Sequence, residues 1–292
     1  MSWWRTAELV GALAARELGG VLGVHVQGAT ALDGWSPGGT LDVLVVVPDV
    51  VPGHRPGDEQ LLALAGPLRF LDGPPLDLVV IEESLARRPE PPWRFLLHLA
   101  AQSVVLGTAT GAGPRTARPE RCELVSRLAI TRACGITVRG AAPGDLIGQV
   151  SPDLIRRRLL DELEWGLHRG TERDVVQDAC RAAAWHQDGL FLSQQDGATW
   201  ARFRLPGHSA LIGRILQERH AAMTAPELAG SGRPPGVEAH HLVADVIRLL
   251  SGAAGVEAAG VEAVPPAVTR PCWGQDQPDL RRKVRCGLAG AV

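Results

Sequence analysis

Two segments constrain the fold of this chain most, Leu41-Asp42-Val43-Leu44-Val45-Val46-Val47 and Leu76-Asp77-Leu78-Val79-Val80-Ile81. Each is an almost unbroken apolar run of strand length, opened by a lone aspartate. A strand that is apolar on both faces must be covered on both, which calls for a sheet between helical layers. Residues 21–28, ending in His25-Val26-Gln27-Gly28, are short and rich in valine and read as a third strand of the same sheet.

Helical signals alternate with these strands. Leu9, Val10, Leu13 and Leu18 recur at helical spacing and run into Gly19-Gly20, a stop signal. Residues 59–71, 92–102 and 122–133 also have helical length, so residues 1–149 read as a mixed α/β unit. The pattern changes at Ser151-Pro152-Asp153, a helix start, after which Ile155, Leu159, Leu163 and Leu167 recur every four residues. Segments 174–190, 208–220 and 237–250 continue as helices joined by Gly/Pro-rich loops, which makes residues 150–254 an all-α helical bundle. Residues 255–292 combine small residues and prolines without a period and read as a tail lacking fixed structure.

Composition removes several classes of function. Lys+Arg 30 against Asp+Glu 32 gives a net charge of -2, with no basic footprint for a nucleic-acid partner. Glu8, Arg16 and Glu17 interrupt the apolar start and no cationic segment precedes it, so the start reads as an amphipathic helix rather than a signal peptide. No uncharged apolar run approaches the roughly 20 residues of a membrane span. The expected setting is the cytoplasm, with no membrane partner. The five cysteines are widely spaced and include no Cys-x-x-Cys, which reads as reduced thiols rather than a disulfide framework or zinc site. Walker, Ser-x-x-Lys and Gly-x-Ser-x-Gly motifs do not occur.

The chemistry-bearing stretch runs from Gly28-Ala29-Thr30 through Trp35 to Thr40-Leu41-Asp42, with Asp77 opening the next apolar strand. This arrangement resembles the aminoglycoside nucleotidyltransferases of the streptomycin/spectinomycin adenylyltransferase type. In that family a Gly-Ser turn opens a short helix after one strand and Asp-x-Asp begins the next. The turn lets backbone N–H groups approach nucleotide phosphates, and carboxylates two apart on a strand share a face and can hold Mg²⁺. Arg181, Trp200-Ala201 and Leu205-Pro206 match the family's C-terminal helical part, so the resemblance covers about residues 5–250. It implies a nucleotidyltransferase-type α/β domain, a helical domain and a ligand cleft between them.

Four positions depart from that pattern. Ala29 replaces the serine of the turn, with Thr30 beside it as a partial substitute, and Thr40 replaces the first aspartate of Asp-x-Asp. Gln194 replaces a lysine expected at the phosphates, and Thr199 replaces an acid expected to meet drug amines. A neutral hydroxyl at Thr40 cannot supply the missing negative charge beside a divalent ion.

Three readings follow. In the first, the family's cleft has been repurposed: it binds or transforms a small, weakly charged metabolite without metal or ATP, in specialised natural-product metabolism. Asp42 and Asp77 would then face one another across the cleft as acid and base, one with its pKa raised towards neutrality. Trp35, Trp93, Trp165, Trp185 and Trp200 would supply walls, with Thr40, Arg181, Gln194 and Thr199 around the ligand. In the second reading, Asp42 and Asp77, with Asp33, hold Mg²⁺ while Gly28, Ala29 and Thr30 meet ATP, and a hydroxyl of an aminoglycoside-like antibiotic is adenylylated. In the third, the chain is a non-catalytic binding or scaffold protein. His25 reads as a satisfied core residue, His98 as a helix residue near the cleft, and Arg156 to Arg158 as solvated charges; His240-His241 lacks a third ligand for zinc.

Overall fold

In the computed structural model, which describes residues 2–34, 39–49, 57–100, 103–107, 123–224 and 233–252, the two Leu-Asp runs are neighbouring parallel strands. They are β2 (Leu41–Val47) and β3 (Leu76–Glu82), paired from Leu41↔Leu76 to Val47↔Glu82. β1 (Gly23–Gln27), β4 (Leu97–Ala100), β5 (Ser103–Leu106) and β6 (Ile136–Gly140) complete a six-stranded sheet of order β5-β4-β3-β2-β1-β6 among the described residues. Apart from β2 with β3, the pairings are antiparallel.

Two layers cover the sheet, as the double-faced apolar runs require. On one face α1 (Trp3–Glu17) and α3 (Asp58–Leu68) bury Val10, Leu61 and Leu64 against Val43, Val45, Leu78 and Val80. The Ser2 hydroxyl caps α1 by accepting from the Arg5 N–H, and Gly19 at φ +68 follows the helix, as the stop signal predicts. On the other face α5 (Glu123–Cys134) and the short α6 (Pro143–Leu146) cover Leu44, Val46, Val79 and Ile81. A four-residue helix, α2 (Gly28–Ala31), follows β1, and α4 (Glu83–Arg87) follows β3.

The segment 92–102 is not a helix. Its Leu97-His98-Leu99-Ala100 portion is β4, because Leu97 and Leu99 pack into the α1/α3 core while His98 points to the other face. Pairing with β3 overrides the helical length of the run.

From Ser151 onward the chain is helical: α7 (Pro152–Arg169), α8 (Glu172–Asp188), α9 (Gln194–Arg204), α10 (Ser209–Thr224) and α11 (Val237–Leu250). Leu163, Val176, Cys180, Ile212, Leu242 and Val246 form their core. Full burial of each of the larger residues contributes roughly 1.5–3 kcal/mol. Burial pushes the Cys180 thiol up to about 12, which makes it an inert packing group. Buried Glu172 accepts from Arg214 at 3.0 Å and from Arg233, tying α8 to α10 and to the approach to α11.

The helical half is packed on the α/β half. Ile155 belongs to the same core as Leu44 and Val79, with Leu159, Trp185 and Phe191 against it, and Met1–Gly255 group as one compact unit. The tail predicted over 255–292 and the candidate Trp35 lie outside the described residues. Among the described residues no helix is long and apolar enough to cross a membrane.

Candidate functional site

Gln27, Asp42 and Asp77 stand in register on β1, β2 and β3, so they form one polar rung at the end of the sheet face that carries Leu44, Val46, Val79 and Ile81. Asp42 and Asp77 are therefore side by side, not opposed across a cleft. The direct pairing follows from the identical Leu-Asp starts of the two parallel strands.

Asp77 has both carboxylate oxygens engaged. Arg127 of α5 donates from Nη2 to Oδ2 at 2.6 Å, and His98 Nε2 lies 3.0 Å from Oδ1. Burial pushes the Asp77 carboxyl up, but the His98 hydrogen bond and the Arg127 charge outweigh it and leave the group below its ordinary 3.8. The expectation that one of the pair is raised towards neutrality is not met at Asp77. Arg127 also reaches Gln27: with the amide oxygen turned towards the guanidinium, Nη1 lies 3.1 Å from it and the amide nitrogen lies 3.2 Å from the Arg127 carbonyl. The guanidinium thus bridges two members of the rung.

Gly28 follows the rung at φ +63, a left-handed backbone that glycine adopts without strain. A Cβ there would also fall 2.1 Å from Asp42 Oδ2, so the absent side chain is what admits the carboxylate. Thr30, the expected partial substitute for the turn serine, is buried with its hydroxyl unpartnered and lines neither cavity described below. Ala29 is exposed, and so is Thr40, just before β2.

Over the rung lies a cleft of about 300 Å³, walled by Arg127 of α5, Arg158, Glu162 and Trp165 of α7, and Asp178 and Arg181 of α8. Gln27, Gly28 and Asp42 form its floor. A smaller apolar cavity of about 40 Å³ adjoins it and shares Ser126, Ile130, Glu162 and Arg181; Trp185 and Phe191 lie on its apolar side. Asp77 lines neither cavity.

The other sequence candidates separate. Arg181 and Trp185 line the cavities, and Trp165 joins them. Trp93 is half-buried against the core beneath α5. Trp200 donates from its indole to Asp188 at 2.8 Å and lies under Arg204. Gln194 accepts from Arg219 at 2.9 Å, and exposed Thr199 bonds back to the Gln195 carbonyl at 2.9 Å. None of these four lines either cavity.

Sequence reasoning misplaced two other groups. Arg158, expected to be solvated, is 9% exposed and pairs with Glu162 at 2.6 Å, whereas its neighbour Arg156 pairs outward with Asp153. His25, expected to be satisfied, is fully buried opposite Val24 and Val26 with neither ring nitrogen hydrogen-bonded, and burial lowers it to about 4. Arg127 went unnoticed although the signal was present. It sits between Leu124 and Leu128 and one turn before Thr131, a cation on the buried face of an apolar helix.

The donor set does not fit a divalent metal. Mg²⁺ seated on Asp77 Oδ2 would have to displace the guanidinium already 2.6 Å from that oxygen. Among the described residues no three of His, Cys, Asp and Glu converge, so Asp33, Asp42 and Asp77 do not form a ligand set.

No family model matches the sequence, and no curated protein sequence matches it. The fold has a solved counterpart. Spectinomycin adenyltransferase from Enterococcus faecialis, crystallised with ATP and spectinomycin, superposes with a TM-score of 0.60 at 14% identity, covering 85% of this chain and 99% of that one. The likeness establishes the fold, a nucleotidyltransferase-type α/β part followed by helices.

Proposed function

We propose that this chain binds a small, weakly charged metabolite in the cleft under α5, α7 and α8, and that any transformation it performs there uses carboxylate chemistry without a divalent metal or ATP. Such a role fits specialised metabolism. The observation that carries the reading is the commitment of both Asp77 oxygens to Arg127 and His98, together with the hydroxyl of Thr40 where the related signature has a carboxylate.

The charge around the cleft supports the same reading. Three arginines, Arg127, Arg158 and Arg181, face three acids, Asp42, Glu162 and Asp178. A polycationic aminoglycoside meets no acidic surplus there, and a triphosphate meets no basic surplus. Asp42 is the rung carboxylate that lines the cleft, and so it is the candidate proton acceptor. Asp77 then acts through Arg127 and His98 as a positioning residue.

One observation favours adenylyl transfer to an antibiotic hydroxyl instead, namely the fold shared with an enzyme crystallised with ATP and spectinomycin. Titration calorimetry with ATP, with and without Mg²⁺, separates the two. The proposal expects no metal-dependent heat of binding; micromolar, Mg²⁺-dependent ATP binding would overturn it.

A further inference from the structure

Resting on the reading of the cleft as a metal-free small-molecule site, we infer that its ligand is a small apolar monocarboxylate, whose oxyanion is held by Arg181 and whose hydrocarbon part enters the cavity beside Trp185 and Phe191. The three cleft arginines are not equivalent. Arg127 is neutralised by Asp77 and Arg158 by Glu162, each at 2.6 Å. Arg181 has, among the described residues, one ion-pair partner, Asp178 at 3.6 Å on its own helix, and its guanidinium makes no hydrogen bond to any described residue. A guanidinium has five donors in a plane that matches a carboxylate. With the other two cations tightly paired, the cleft offers one such group, which selects a single negative charge over a polyphosphate.

Arg181 is also held in place. A Cβ at Gly197 of α9 would lie 2.8 Å from Arg181 Cγ, so the glycine lets α9 close directly on the arginine stem. Arg181 lines both the polar cleft and the apolar cavity, one turn from Trp185 on the same face of α8. A ligand anchored there has its non-polar end directed along Ile130 and Leu159. That cavity, about 40 Å³, is roughly three times what one water requires and suits a short branched alkyl group or a ring edge.

The test titrates the full chain with 3-phenylpropanoate and 4-methylpentanoate, and with 3-phenylpropan-1-ol and 3-phenylpropylamine as neutral and cationic counterparts. Both acids are expected to bind at least tenfold more tightly than the alcohol or the amine. Arg181→Gln, which keeps the stem against Gly197, should abolish that preference while leaving alcohol binding unchanged; Arg181→Lys should retain part of it. Ile130→Trp, filling the shared wall, should block acid and alcohol alike, with melting curves checking that each variant is folded.

Equal binding of acid and amine, an unaltered preference in Arg181→Gln, tighter binding of inorganic phosphate, or no acid binding at millimolar concentration would each overturn the inference. Binding of the alcohol or amine alone would leave the small-molecule reading standing and remove the carboxylate. Competition by Mg-ATP for the same cleft would instead remove the reading beneath it.

Discussion

Arg127 reaches from α5 to place Nη2 2.6 Å from Asp77 Oδ2, beside the strand on which Asp42 occupies the matching register. The chain thereby supplies its own fixed cation where two strand carboxylates meet. Such a pair is costly to break from one side, because the remaining charge stays partly buried: the side chains are 12% and 19% exposed.

Removing the cation should reopen the site to metal. Arg127→Met is expected to destabilise the protein by about 2 kcal/mol, less than for a fully buried pair. Combined with Thr40→Asp it should bind Mn²⁺ stoichiometrically, read as loss of the free-ion signal in electron paramagnetic resonance. The unaltered protein should leave that signal unchanged. Stoichiometric Mn²⁺ uptake by the unaltered protein would mean that the guanidinium does not block the seat.

His25 predicts a pH dependence. Its folded pKa of about 4 lies below the ordinary 6.5, so the fold holds it neutral and protonation favours unfolding. Its contribution is complete above 6.5 and is lost as pH falls towards 4, a change of about 3 kcal/mol. His186, on the more exposed side of α8, is lowered too, by partial desolvation and then by Arg156, and acts in the same direction. The difference between the protein and His25→Leu in urea melts from pH 7.5 to 4 isolates His25. Parallel curves for the two would refute its role.

The two neighbouring arginines of α7 should behave oppositely. Arg156→Ala removes a solvent-facing pair with Asp153 and should change stability by less than about 0.5 kcal/mol. Arg158→Ala removes the cation paired with half-buried Glu162 and should cost about 2 kcal/mol. Chemical denaturation of both variants measures the contrast, and similar losses would contradict the inward placement of Arg158.

The three apolar strands and the helix opened at Pro152 were legible because a local period fixes each of them. β4 was not: Phe95-Leu96-Leu97-His98-Leu99-Ala100 is compatible with either period, and only the edge offered by β3 selects the strand. β6 is five residues long and carries little signal without β1 beside it. At the site, Asp42 and Asp77 were legible from their repeated place at the head of an apolar run. Their environment was not, since Arg127 lies 50 residues from Asp77 and His98 sat on a misread element. Sequence could identify the carboxylates, but their charge state depends on tertiary neighbours.

Gly28 links backbone and site most directly. Alanine there meets two penalties, a left-handed φ of +63 and a Cβ 2.1 Å from Asp42 Oδ2. The first alone costs about 1–2 kcal/mol. The second is relieved only by moving the Asp42 carboxylate, because the opposing contact is the reactive end of that side chain. Gly28→Ala should therefore lower stability by about 2 kcal/mol and weaken ligand binding in the cleft as well. Asp42→Asn tests the coupling: it keeps the side-chain shape, so the double variant should be no worse in binding than Asp42→Asn alone. If Gly28→Ala weakened binding further in the Asp42→Asn background, the glycine would be acting on the cleft by a route other than the carboxylate.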